Sequence, residues 1–141
     1  GIGRLIICDS DQVDLTNLQR QILHTTQSIG LSKTSSAERA LNQINPTIEI
    51  VPLAERITEH VIQAHITQVD AIIDASDNFT TRNFINQICY RYKKPLISGA
   101  VIRFEAQVTV VEAIPVMGTL GLIVLAAACG TLGLFARKKR R

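Results

Sequence analysis

Short apolar runs alternate with amphipathic segments along most of this chain, and that alternation restricts the fold more than any single residue does. Leu5–Asp9, Ile48-Glu-Ile-Val51, Ala71-Ile-Ile-Asp74, Leu96-Ile97 and Gln107–Val111 read as strands. Helical spacing fills the gaps between them. Leu15–His24 reads as a short helix, and Ser32 or Thr34 can cap a second one carrying Ala37, Ala40, Leu41 and Ile44. Asn45-Pro46 ends that helix, because proline disfavours helical geometry in the residue before it. Thr58 can cap a third with Val61, Ile62 and Ile66, and Thr80–Tyr92 is a fourth with Phe84, Ile85, Ile88 and Cys89 inward. Strand and helix in turn are the pattern of parallel βαβ units. The expected fold is α/β, a doubly wound, mostly parallel sheet, in one domain.

In such a sheet, ligands bind beyond the carboxyl ends of the strands. Asp9 stands at such an end and can accept hydrogen bonds from ribose hydroxyls. Beyond it, Asn17, Gln19, Arg20 and Gln21 are interleaved with Leu15, Leu18, Ile22 and Leu23. The apolar members can pin a short helix to a core while Arg20 points at an anion. The same letters equally describe a solvated amphipathic surface helix.

Charge narrows the partners. The formal net charge is +3, but residues 1–113 hold all 12 Asp/Glu and are net acidic, and the excess lies in Arg137-Lys-Lys-Arg-Arg141. A nucleic-acid-binding face is not supported. Cys8, Cys89 and Cys129 form no Cys-x-x-Cys pair, so a four-cysteine zinc site within this chain is excluded, and the odd count argues against a disulfide framework. Cys8 and Cys89 lie in apolar contexts and read as buried small hydrophobes. No partner stands at ligand spacing from His24, His60 or His65. No signal peptide is visible, and a start at Gly1-Ile-Gly3 that leads straight into a strand suggests a piece of something longer.

Residues 114–141 differ in kind from 1–113. Met117–Ala136 carries no charge and only Thr119 and Thr131 as hydroxyls. As a helix it is long enough for a hydrocarbon core of about 30 Å. It reads as an apolar, transmembrane helix with a basic tail, and a buried core helix is the alternative. Ile114-Pro-Val-Met, the span and the terminal Arg/Lys also resemble bacterial C-terminal sorting tails, without their Ser-Glu-Trp. The positive-inside rule would place the tail in the cytoplasm and, for a single span, the domain outside. A C-terminal hairpin, a tail anchor, or two unrelated segments joined near Ala113 would remove that conflict.

Asp9-Ser-Asp-Gln-Val-Asp-Leu-Thr-Asn-Leu-Gln-Arg-Gln21 resembles a signature of the ubiquitin-activating-enzyme-like adenylyltransferases, which include the activators of the molybdopterin-synthase and thiazole-synthesis sulfur carriers. The likeness continues through Ile29–Lys33, Ile44-Asn-Pro46, Asp74–Arg82 and Pro95–Gln107, in uninterrupted order from Gly1 to about Val111. It implies a Rossmann-like, cytoplasmic domain that uses ATP and Mg²⁺ to adenylate the C-terminal carboxylate of a ubiquitin-like carrier. Such a reaction rests on electrostatics and positioning. By the resemblance, Asp9 holds the ribose, and Thr16, Asn17, Leu18, Gln19 and Arg20 line the nucleotide pocket. Arg20 sits on the phosphates, Lys33 adds a point charge at a helix start, and Asp77 holds Mg²⁺ beside Asn78. Arg20 and Asp77 are the catalytic candidates. Lys33 otherwise reads as a solvated helix-end lysine, and Asp77-Asn78 as an Asx turn capping the next helix. Arg82 is read as structural, and Arg103 as facing the carrier, a dimer contact or solvent.

Compared with the resembled family, the sequence lacks the Gly-x-Gly-Gly-x-Gly loop with its central first strand, the zinc-binding Cys-x-x-Cys pairs, the reactive cysteine and an arginine supplied by the partner subunit. The expectation is therefore a piece of a homodimeric enzyme that alone neither binds ATP tightly nor turns over. The alternative is a non-catalytic, membrane-tethered remnant or interaction module.

Overall fold

The computed structural model describes residues 2–102, 105–111 and 133–138. The chain runs β1 (Ile2–Cys8), α1 (Lys33–Ile44), β2 (Glu49–Leu53), α2 (Glu59–Ile66), β3 (Ala71–Asp74), α3 (Phe79–Tyr92), β4 (Leu96–Ile102), β5 (Glu105–Val111) and β6 (Gly133–Lys138). One six-stranded sheet results, in the order β2-β1-β6-β3-β4-β5. β1 pairs with β2 and β3 with β4 in parallel, whereas β6 is antiparallel to both its neighbours and β4–β5 is an antiparallel hairpin. The sheet is mixed rather than mostly parallel.

Local chemistry places the helices. Ser32, not Thr34, caps α1, its hydroxyl accepting from the Ser35 N–H at 3.2 Å. Thr58 caps α2 through the Val61 N–H at 3.3 Å, and Asn78 caps α3 through the Thr81 N–H at 2.8 Å. Each cap satisfies an amide that the helix cannot. α1 stops at Ile44, before Asn45-Pro46 as expected, and α3 closes on Lys93 in the left-handed conformation.

The crossovers explain the layering. The chain passes from β1 outward to β2, then back across to β3 and on to β4. Right-handed connections put α1 on one face and α2 with α3 on the other. On the α2–α3 face, Ile6, Cys8 and Ile72 meet Ile62, Ile66, Ile85, Ile88 and Leu96, all essentially buried. A buried isoleucine of this kind stabilises by roughly 1.5–3 kcal/mol. Ile7 alternates to the opposite face.

Two expectations are corrected. Leu15–His24 is not a helix: a 3-10 turn covers Leu15–Asn17 and turns follow. Asp14 accepts from the Thr16 N–H at 2.8 Å and the Thr16 hydroxyl at 2.6 Å, while Asn17 Oδ1 takes the Asp14 N–H at 3.0 Å. These short side-chain bonds form a capping box that starts a single 3-10 turn, and the turn does not continue as a helix. Nor do Leu15 and Ile22 pin the segment to a core, being 65% and 94% exposed.

The second correction concerns the apolar span. Gly133–Ala136, assigned to a C-terminal helix, and Arg137-Lys138, assigned to a tail, together form β6. Its backbone pairs with β1 on one side and β3 on the other, so donors and acceptors in mid-sheet are satisfied. β6 thus stands between β1 and β3, where the resemblance leaves a central strand missing. Residues 117–132, Arg103 and Cys129 lie outside the described residues, and among those described no helix is long and apolar enough to cross a membrane.

Candidate functional site

The carboxyl ends of β1 and β3 lie on either side of β6, and the loops leaving them build the site. Asp9 follows β1 directly and is 3% exposed. Its N–H donates to the Leu53 carbonyl at 3.1 Å, which continues the β1–β2 ladder by one residue. Its Oδ1 accepts the Asp11 N–H at 2.8 Å, turning the chain off the sheet edge.

The segment 11–13 is then laced to 30–33. Gly30 donates to the Val13 carbonyl, Val13 to the Leu31 carbonyl and Lys33 to the Asp11 carbonyl, each at 2.9 Å. Gly30 makes this return with a φ of +83°, a conformation that disfavours any residue with a Cβ. The lacing draws the first residue of α1 inward. Lys33 is only 3% exposed, with Nζ 2.7 Å from Asp11 Oδ2 and 3.9 Å from Asp9 Oδ2. It is a buried ion-pair member, not a solvated helix-end lysine. His24 is buried nearby, its Nδ1 2.9 Å from the Ser36 hydroxyl, and burial followed by the Lys33 charge lowers its pKa.

On the β3 side, Asp74 is 1% exposed and its Oδ1 accepts the Ser76 N–H at 2.9 Å. Burial pushes its pKa up, against the Ser76 amide, the Arg82 charge and the nearby Ser76 and Ser98 hydroxyls. Those hydroxyls stand close, but neither reaches hydrogen-bonding geometry, and Asp74 Oδ2 is buried without a hydrogen-bond partner. Arg82 donates from Nε and Nη2 to the Ser76 carbonyl at 3.1 and 2.7 Å.

Between the two ends opens a cavity of about 430 Å³ lined by Cys8, Asp9, Ser10, Asp11, Glu55, Arg56, Ile57, Asp74, Ser76, Asp77, Asn78 and Thr81. That volume suits a small-molecule ligand, and the position is the crevice where α/β sheets bind one. Asp9, Asp77 and Asn78 line it, and Lys33 lies behind Asp9. Thr16, Asn17, Leu18, Gln19 and Arg20 do not line it. Arg20 is exposed, its Nη1 donating to the Thr16 carbonyl at 2.9 Å. Five carboxyl groups face one guanidinium, that of Arg56, so a polyanion would enter only with compensating cations. Asp74, Ser76, Glu55 and Arg56 were not among the sequence candidates. Asp74 was within reach of the strand-end rule that selected Asp9.

A family model described as the ThiF family matches residues 1–123. The chain belongs to the ThiF family. Among its relatives, the molybdopterin-synthase adenylyltransferase of Escherichia coli is 44% identical over 110 residues, covering 78% of this chain and 44% of that protein. The Escherichia coli sulfur carrier protein ThiS adenylyltransferase is 37% identical over 110 residues, with coverage of 78% and 44%. The crystal structure of Escherichia coli MccB with ATP superposes with a TM-score of 0.65 at 30% identity, covering 72% of this chain and 31% of that one. The chain therefore spans less than half the length of each of these ThiF-type relatives.

In this ThiF-family chain the two described cysteines are chemically quiet. Burial, with smaller contributions from Glu55 and Asp9, pushes the Cys8 thiol up to about 12, and burial first and Asp74 second push Cys89 up to about 12. The thiolate is the reactive form, so native alkylation at pH 8 should be slower than for a free thiol by about a thousandfold. Peptide mass spectrometry after iodoacetamide treatment should find Cys8 and Cys89 unmodified until denaturant is added. Rapid native labelling of Cys8 would mean that the cavity wall opens.

Proposed function

We propose that the protein carrying this sequence adenylates the C-terminal carboxylate of a ubiquitin-like sulfur-carrier protein, with ATP as co-substrate. The observation that carries the reading is the placement of Asp9 and Asp77, from separate motifs, on one cavity at the carboxyl ends of β1 and β3. Greater identity to the molybdopterin-synthase adenylyltransferase than to the ThiS adenylyltransferase favours a carrier of the first kind.

In this reading the Asp9 carboxylate accepts from the ribose hydroxyls. Asp77 and Asn78 present oxygen donors to Mg²⁺, which when bound neutralises phosphate charge and polarises the α-phosphorus. Mg²⁺ in such sites is held by one or two carboxylates together with the substrate phosphates. Arg20 and Lys33 are the cations assigned to the phosphates, with Thr16–Gln19 beside the nucleotide. To serve there, Arg20 must leave the Thr16 carbonyl and Lys33 must leave Asp11. A carrier carboxylate oxygen then attacks the α-phosphorus, the bond to the bridging pyrophosphate oxygen breaks, and the acyl-adenylate and pyrophosphate result. No general base is required, because the nucleophile is already an anion. A homodimer belongs to the same proposal.

The test is ATP–pyrophosphate exchange on the full-length gene product containing this sequence, with candidate carriers added in turn. Exchange should appear only with a carrier whose C-terminal carboxylate is free, and should vanish when that carboxylate is amidated. Absence of exchange with every carrier, in a protein that folds, would favour a non-catalytic interaction module instead.

A further inference from the structure

We infer that Asp74 and Arg82 are positioning residues that grip the backbone of Ser76 from both sides and so set where Asp77 stands on the cavity. The Asp74 carboxylate takes the Ser76 N–H at 2.9 Å, and the Arg82 guanidinium gives two hydrogen bonds, 3.1 and 2.7 Å, to the Ser76 carbonyl. Both hydrogen-bonding groups of one residue are thus claimed by side chains, immediately before Asp77. Asn78 anchors the other end by capping α3. Asp77 is held between two fixed points although its own side chain is exposed.

The cost of the arrangement argues that it is more than a turn. Asp74, Ser98 and Thr109 occupy facing positions on β3, β4 and β5 and are all buried. Asp74 Oδ2, Ser76 Oγ, Ser98 Oγ and Thr109 Oγ1 have no hydrogen-bond partner there. Apolar residues at these positions would pack at lower cost, since buried polar atoms are normally satisfied. What the row provides is a carboxyl group at the floor of the cavity, in reach of the Ser76 amide. Asparagine at position 74 keeps that acceptor. Lysine at position 82 cannot reproduce a planar fork on one carbonyl.

That Asp77 holds a divalent ion rests on the proposed function, whereas the grip on Ser76 does not, and the test separates them. Amide hydrogen exchange on the 141-residue chain should be at least tenfold faster at Ser76 and Asp77 in Asp74→Ala and in Arg82→Ala. Exchange in β1 and α1 should be unchanged, and Asp74→Asn should stay within about threefold of wild type. Unaltered exchange at Ser76 and Asp77 in both alanine variants overturns the inference. Paramagnetic broadening by Mn²⁺ is the second readout, with Asp77→Ala as its control. Broadening around Asp77 should require at least tenfold more Mn²⁺ in Asp74→Ala and Arg82→Ala but not in Asp74→Asn, and equal titrations in wild type and these three variants overturn the inference. Wild-type protein that shows no broadening refutes the metal assignment instead, and leaves the grip to be decided by exchange.

Discussion

Asp77→Ala is expected to lower carrier-dependent ATP–pyrophosphate exchange by about a hundred- to a thousandfold, the range for removing one group that stabilises developing charge. The loss should fall mainly on kcat and should not be recovered by excess Mg²⁺. Thermal unfolding should hardly move, because Asp77 is exposed and Asn78, not Asp77, accepts the Thr81 amide that starts α3. Asp77→Asn, which keeps one neutral oxygen, should fall between. The comparison distinguishes chemistry from structure: a large drop in melting temperature would make Asp77 a structural residue. Wild-type exchange in Asp77→Ala would remove the ion from this position and leave the cavity's other carboxylates to be considered.

The elements that could be read from the sequence are those whose signals are local. Thr58, Asn78 and the Asn45-Pro46 stop act on amides within a few residues, and the boundaries of α1, α2 and α3 follow them closely. β3 is a four-residue apolar run between polar ends, and it stands where that pattern puts it. Leu15–His24 fails because periodicity counts apolar letters and not burial: Asp14 and Asn17 close a capping box, but Leu15 and Ile22 stay exposed, and a turn without a buried face does not propagate into a helix. The reading of the Gly133–Ala136 run as helix fails for a different reason. Whether such a run is a helix or a covered central strand depends on what lies beside it, and β6 is specified by β1 and β3, more than sixty positions away for each.

The site divides along the same line. Asp9 could be found because it follows an apolar strand and ligands meet strand ends, whereas the role given to Asp77, beyond the end of β3, came with the resemblance. Arg20 carries the right charge in the right motif, yet the segment that bears it folds as turns and leaves its guanidinium on the Thr16 carbonyl. Asp74 stayed hidden because a strand-end aspartate looks the same in sequence whether it faces the ligand or grips the turn beside it. Lys33 was legible as a charge and not as a buried one, since its burial depends on Gly30 folding 30–33 back along 11–13.

Lys33→Ala should therefore be the most destabilising charge removal among the site candidates, costing about 3–5 kcal/mol, because the almost wholly buried Asp9 carboxylate loses the buried cation 3.9 Å from it. In a chain of 141 residues this corresponds to a fall in melting temperature of roughly 10–20 °C by circular dichroism. Asp11→Asn removes the shorter pair, at 2.7 Å, yet the Asp11 side chain is 54% exposed, so solvent screening should hold its cost to about 1 kcal/mol or less. The order of the two effects is the reverse of the order of their distances, which makes the comparison decisive. Lys33→Met combined with Asp9→Asn should recover most of the stability lost in Lys33→Met alone, since a buried pair replaced by neutral groups is often no worse than the pair. If Asp11→Asn costs as much as Lys33→Ala, it is the exposed pair and not burial beside Asp9 that holds the lysine. If Lys33→Ala melts within about 3 °C of wild type, the ammonium contributes little to the fold. A lysine so loosely held would be free to turn toward a phosphate without first breaking a structural contact, whereas the arrangement at 2.7 Å and 3.9 Å makes phosphate binding by Lys33 compete with stability.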